Sequence, residues 1–255
     1  MIVTETLVYE GAEGALEGVA FEGTVSWDDS FSDNRTGTRP VVMVTPTFKG
    51  QSAFETGKAE LLAELGYVGF AIDIYGQGKR ASTPEEAGKL MAVLDSDRAL
   101  LLKHMQLALR TARQLPQTNI SDSDEIKVAA IGFCFGGKCV LDLARSGADM
   151  CAAVSFHGIY DPPKLDEGVA DLPVKSAVLV LHGWEDPLAP CEDMVALADE
   201  LTRNGADWQI HAYGQTAHAF TNPMAQAKAD GMYFVEKSAQ RGWQTMRIFL
   251  EEQFS

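Results

Sequence analysis

Six nearly continuous apolar runs decide most of what this chain can fold into. They are VVMVTPT (41–47), YVGFAIDIY (67–75), IKVAAIGF (126–133), CAAVSFHG (151–158), SAVLVLHG (176–183) and DWQIHAYG (207–214). Most lack the in–out alternation of a strand with one wet face. Strands that are apolar on both sides must be covered on both sides, which is the condition of a parallel sheet between two helical layers. Helix-like runs fill the gaps between them. The run 52–65 stops at Gly66, and 97–115 stops at Pro116 after placing Leu101, Met105, Ala108, Leu109 and Ala112 on one face. A run after Cys134 ends near Gly147, 190–204 stops at Gly205, and 234–253 closes the chain. Before Pro40 the pattern changes to an antiparallel hairpin interrupted at Gly11 and Gly14. The expected fold is therefore α/β: a doubly wound, mostly parallel sheet with helices on both faces and an N-terminal antiparallel hairpin. Ligands are expected at the carboxyl ends of the strands.

A chain of 255 residues is expected to form one such domain, 1–255. One stretch, 76–95, fits the alternation less well. There Thr83, Pro84 and Glu86 read as a capping box with proline at the first helical position. The result is a short helix, either a lid over the strand ends or a plain surface connection.

The third apolar run ends in GFCFGG (132–137), where Gly132, Cys134 and Gly136 form G-x-C-x-G. This is the elbow pattern of a nucleophile, with cysteine in the central place. A strand that turns sharply into a helix forces its central residue into a strained conformation. Side chains two positions away on either side would collide, hence glycine there. The turn lifts the sulfur above the sheet edge and sets it at a helix N-terminus, where the dipole favours a thiolate. The N–H of Phe135 then faces a developing oxyanion. The other reading is a small buried cysteine between two common glycines. The apolar strand before it and the helical run after it favour the elbow.

A nucleophile needs a base, and the base needs an orienting acid. On an elbow of this kind the chain order is nucleophile, acid, histidine. Of the four histidines after Cys134, His157, His182 and His211 sit in or at the ends of strand runs and read as structural. His218 lies in the small-residue loop AHAFTNP and reads as the base. LVLHGWEDPLAP offers Glu185 and Asp186, with Asp186 the choice, and Asp161 in HGIYDPP the rival one strand earlier. Asp before Pro is also ordinary turn chemistry. A second oxyanion donor is expected from the loop after the first central strand, as the N–H of Phe48 in TPTFKG.

The net charge of −15 disfavours nucleic acid and anionic membrane as partners. No apolar run approaches the length of a membrane span, and the first residues lack the basic-then-apolar plan of a secretion signal. The cysteines at 134, 139, 151 and 191 form no CxxC pair, and no histidine stands at zinc-finger spacing from them. A reducing, cytoplasmic setting is the simplest expectation. It is expected as a monomer or small homo-oligomer acting on a small molecule.

LAELGYVGFAIDIYGQG, IGFCFGGK, LVLHGWEDPLAP and AHAFTNP together resemble the dienelactone hydrolase family of the α/β-hydrolases, from about Pro40 onward. The resemblance implies an α/β-hydrolase fold and hydrolysis of esters or enol-lactones without metal or cofactor. It makes Cys134 the nucleophile, His218 the base, Asp186 its orienter, and the Phe135 and Phe48 N–H groups the oxyanion donors. Three positions depart from the family pattern. Thr47 stands where dienelactone hydrolase carries a glutamate, with Glu55 a candidate stand-in. Gln77 and Asn222 stand where it carries arginines that hold the substrate carboxylate, leaving Arg80 or Arg98 as candidate cations. Thr47, Gln77, Arg80, Trp184, Phe220 and Asn222 are thus the expected substrate-binding set. Phe48, Phe133, Phe135, Trp184 and Phe220 are candidates for an acyl pocket. Two other readings use the same residues: a peroxidatic or redox thiol, and a binding protein that kept the fold without the chemistry.

Overall fold

A computed structural model describes residues 1–12, 14–30, 39–118, 125–164 and 173–255. The expected N-terminal hairpin run includes 13 and 31–38, which lie outside the described residues. Two compact units are present, Met1–Ala130 and Ile131–Ser255.

The first unit opens with strands β1 (Ile2–Glu10) and β2 (Ala20–Asp28), paired antiparallel from Ile2 opposite Asp28 to Glu10 opposite Ala20. β3 (Val41–Thr45) is buried throughout and lies parallel to β4 (Val68–Ala71), which in turn pairs antiparallel with β2. Between them, helix α1 (Ala53–Glu64) begins with a reciprocal capping box. Ser52 accepts the Phe54 N–H while Glu55 accepts the Ser52 N–H. The helix packs closely because residue 69 is glycine: a Cβ there would lie 2.3 Å from the Ala59 carbonyl oxygen. The apolar run 67–75 is strand only as far as Ala71. Asp73 then accepts the Tyr75 and Gly76 N–H groups through Oδ1 and turns the chain out of the ladder. Helix α2 (Pro84–Ser96) starts on the Thr83–Glu86 capping box with Pro84 in the first turn. Helix α3 (Arg98–Ala112) buries Leu101, Met105, Ala108 and Ala112 completely.

Strand β5 (Val128–Phe133) starts in the first unit and ends in the second. The second unit continues with α4 (Phe135–Arg145), β6 (Ala152–Phe156), β7 (Ala177–Gly183), α5 (Cys191–Arg203) and β8 (Trp208–Tyr213). A two-residue hairpin follows, β9 (Gln226–Ala227) with β10 (Met232–Tyr233), and α6 (Glu236–Phe254) ends the chain. β6–β7 and β7–β8 are parallel, and the strand order is β1-β2-β4-β3-β5-β6-β7-β8. This is the α/β-hydrolase arrangement, a mostly parallel sheet with an antiparallel N-terminal hairpin. One strand departs from expectation: β8 lies at the edge of the sheet, with Gln209, His211 and Ala212 exposed and none of its residues fully buried. Among the described residues no helix is long and apolar enough to cross a membrane.

Candidate active site

Cys134 stands between β5 and α4 with φ 56° and ψ −119°, a backbone shape that L-residues avoid and that costs about 1–3 kcal/mol. Its own N–H donates to the Phe156 carbonyl at 3.1 Å and its carbonyl accepts from Gly137 at 2.9 Å, which fixes the turn. The close approach explains the glycine. A Cβ on residue 132 would lie 2.1 Å from the Gly136 carbonyl oxygen, a backbone atom that cannot move aside without unwinding the start of α4. Gly132→Ala is therefore expected to destabilise the fold by about 3 kcal/mol. A drop in urea midpoint at unchanged slope would measure it. Gly88→Ala on α2, where a Cβ meets nothing within 4 Å, serves as the control and should gain slightly. Cys134 is partly exposed as a residue, and Phe135, as the first residue of α4, has an N–H with no partner in its own helix.

Asp186 follows β7 in a tight turn. Its N–H donates to the Gly183 carbonyl and its Oδ1 accepts the Leu188 N–H at 2.8 Å, which aims Oδ2 inward. Oδ2 meets His218 Nδ1 at 2.8 Å, both side chains being buried. A carboxylate only accepts, so Nδ1 carries the proton and Nε2 is the free end of the ring. Nε2 has no hydrogen-bond partner, and it is buried. Burial alone would favour the neutral ring. The nearby Cys134 sulfur, the hydrogen bond with Asp186 and the charge of Asp186 outweigh it and push the His218 pKa up to about 10. The loop that carries His218 is anchored by the Tyr233 N–H, which donates to the His218 carbonyl at 3.2 Å.

The neighbouring candidates go elsewhere. Glu185 points to solvent. Asp161, the rival acid, is half-exposed and pairs with Lys138 Nζ at 2.9 Å. His157 sets its ring edge against His218 and Phe220, each with 5.1 Å between centroids, and holds Thr221 Oγ1 at 2.7 Å through Nε2. His182 Nδ1 lies 3.0 Å from the Tyr160 hydroxyl. Burial holds the His182 pKa below its usual value, against the pull of Asp186, and drives the Tyr160 hydroxyl well above its own. Both therefore stay neutral near Asp186. Tyr160 carries no sequence signal for this place beyond following a histidine at a strand end.

Among the expected substrate contacts in this unit, Trp184 is 51% exposed. Phe220 is wholly buried between His157 and Tyr213, Phe133 stacks on Phe156, and Phe135 is wholly buried. Asn222 spends its Oδ1 on the Met224 N–H. In the first unit, Arg80 reaches Asp73 at 3.2 Å and the Glu22 carbonyl at 2.6 Å, and Gln77 reaches the Glu22 carboxylate at 3.1 Å. Arg98 is buried, with Asp95 at 3.7 Å. Thr47 gives its N–H to Glu55, and Phe48 is half-buried. Among the described residues no cluster of His, Cys, Asp and Glu is placed to hold a metal ion.

A profile described as the dienelactone hydrolase family matches residues 31–254. The solved structure named m3DLH is 34% identical, with a TM-score of 0.86, covering 100% of this chain and 99% of its own. A dienelactone hydrolase-like promiscuous phosphotriesterase from metagenomic libraries is 32% identical, with a TM-score of 0.85, covering 99% of this chain and 98% of its own. Carboxymethylenebutenolidase 1 of Cupriavidus pinatubonensis is 25% identical over 193 residues, which is 72% of this chain and 76% of that protein.

Proposed function

Because the chain belongs to the dienelactone hydrolase family and is a carboxylic ester hydrolase, we propose that it cleaves small esters or lactones with Cys134 as nucleophile, His218 as acid and base, and Asp186 as orienter. The observation that carries this reading is a buried imidazole, held through Nδ1 by Asp186, whose free Nε2 and raised pKa answer to Cys134.

The steps balance without a metal or cofactor. The Cys134 thiolate adds to the carbonyl carbon, and the carbonyl electron pair becomes an oxyanion. Donors for it are proposed at the N–H of Phe135, at the start of α4, and of Phe48, in the loop after β3. One such donor is worth about 3 kcal/mol at the transition state. The intermediate collapses, the ester C–O bond breaks, and the alkoxide takes the proton on His218 Nε2. A thioester remains on Cys134. Water then gives a proton to Nε2 as its oxygen attacks the thioester carbon, and the C–S bond breaks. Acid leaves, and the thiolate and imidazolium are restored. In a lactone the departing alkoxide stays tethered to the acyl group.

With Arg80, Gln77 and Asn222 committed to protein partners, substrates without a free carboxylate are favoured. No disulfide joins the four cysteines, as a reducing cytoplasm would have it, and such a location is part of the proposal.

The direct test is a rapid acid quench during hydrolysis of p-nitrophenyl acetate, followed by intact-mass and peptide analysis. An acetyl group on the Cys134 peptide, formed as fast as the nitrophenol burst, is the expected result. Turnover with no acyl adduct there, or with the adduct elsewhere, would sink the nucleophile assignment. An aryl phosphotriester run in parallel asks whether the activity in the name of the 32% identical neighbour extends to this chain.

A further inference from the structure

One peptide group of the second unit joins the segments that carry Cys134 and Asp186. The Phe156 carbonyl accepts the Cys134 N–H at 3.1 Å, and the N–H of the same peptide, on His157, donates to the Leu181 carbonyl at 2.8 Å. The first bond reaches the elbow, and the second reaches β7, which ends three residues before Asp186. His157 leaves β6 with φ 37°, a left-handed shape that histidine adopts more readily than most residues. Its side chain then turns to the His218 loop. The ring is buried and stands at 68° to the His218 ring, with 5.1 Å between centroids. Nε2 meets the buried Thr221 hydroxyl at 2.7 Å, three residues beyond His218 in the same loop. The Tyr233 and Val235 N–H groups also hold this loop, donating to the His218 and Phe220 carbonyls at 3.2 and 3.1 Å. Those bonds fix the main chain and not the imidazole.

We propose that His157, tied to Thr221, is a positioning residue that keeps the His218 ring turned onto Asp186, an inference that rests on the ester-hydrolase reading above. Asp186 holds the imidazole at one atom, Nδ1, at 2.8 Å. A single hydrogen bond leaves a ring able to swing about its Cα–Cβ and Cβ–Cγ bonds. A second ring packed against it in a close-packed interior takes up the room for that swing. The Thr221 bond keeps the second ring from turning aside in its turn, since both partners are buried and breaking the bond leaves each unpaired. Asp186, Cys134, His157 and His182 are the titratable groups that stand around the His218 ring among the described residues. His157 takes no proton in this role; it acts through the ring it packs on.

Thr221→Val cuts the tie at nearly constant bulk, so the fold should survive it, and Thr221→Ser keeps the hydroxyl. With p-nitrophenyl butyrate, Thr221→Val is expected to lose about tenfold in kcat with KM within about twofold, because a misplaced base costs the transition state and not binding. Its alkaline limb should also move to lower pH. A ring that spends less time on Asp186 keeps less of the charge and hydrogen bond that raise its pKa. Thr221→Ser should bring both readings back toward wild type. His157→Asn, which accepts a left-handed backbone but carries no ring, should show the same two changes, each larger. A lowered melting temperature with kcat and limb unchanged in Thr221→Val would mark packing alone and overturn the proposal. So would equal losses in Thr221→Val and Thr221→Ser. Ester hydrolysis that survives in Cys134→Ala would overturn the reading of the site itself, and the positioning role with it, before any change at 157 or 221 is made.

Discussion

Cys134→Ala is expected to lower ester turnover by about 10⁵-fold, to the residual rate left by binding and oxyanion stabilisation. The variant should keep its far-UV spectrum and melt within a few degrees of the wild type. Cys134 is partly exposed at the elbow, so loss of its single sulfur opens little cavity, and alanine tolerates the φ of 56° no worse than cysteine does. Steady-state assays with p-nitrophenyl acetate and butyrate, with EDTA present, read the effect. Turnover near the wild-type level in this variant would remove cysteine from the mechanism. Lost turnover together with lost structure would instead be repeated with Cys134→Ser, which retains a hydroxyl in the same place.

Asp186→Asn is expected to cost about 10³–10⁴-fold in kcat. The carboxamide can keep the Leu188 contact through its oxygen. Its NH₂ then faces Nδ1, where only an acceptor belongs, and the ring shifts to the tautomer that blocks Nε2. The pH profile carries a second reading of the same change. His218 has its pKa raised to about 10 in the folded protein, so the imidazolium that donates to the leaving group persists through neutral pH. Acylation should fall on the alkaline side, near pH 10, as that proton is lost. The Asn variant removes both the charge and the hydrogen bond of Asp186, two of the causes that raise the pKa, so its alkaline limb should move to lower pH. The sign for stability is the same: a raised histidine pKa contributes stability that is complete below about pH 6.5 and is lost as pH rises through 10. An alkaline limb that stays in place in Asp186→Asn would break the link between Asp186 and the ring.

The sheet was legible because burial on both faces leaves continuous apolar runs, as in β3, β5 and β7. Helix starts were legible where two side chains exchange hydrogen bonds locally, as at Ser52–Glu55 and Thr83–Glu86. The close pass at Gly132 left a mark because any Cβ collides there. β8 was misread because Trp208, Ile210 and Tyr213 resemble core residues, and an edge position depends on strand order rather than on any one strand. The partners of Arg80 and Asn222, a carboxylate in a neighbouring turn and a backbone N–H two residues on, cannot be read from composition.

Four non-glycine residues have left-handed backbone among the described residues: Cys134, His157, Gln215 and Ala219. All belong to the unit that carries the thiol and the imidazole. At about 1–3 kcal/mol each, their combined strain rivals the whole net stability of an ordinary domain. Selection for heat tolerance therefore has an uneven field to work on. Relaxing Cys134 or Ala219 would swing the sulfur or the neighbouring imidazole away, so a heat-adapted descendant has to gather its gains in the other unit, in the β1–β2 hairpin and the capped helices. Lineages of such a protein should then diverge at two speeds, with the N-terminal half drifting freely with climate and the C-terminal half held still by its own strain.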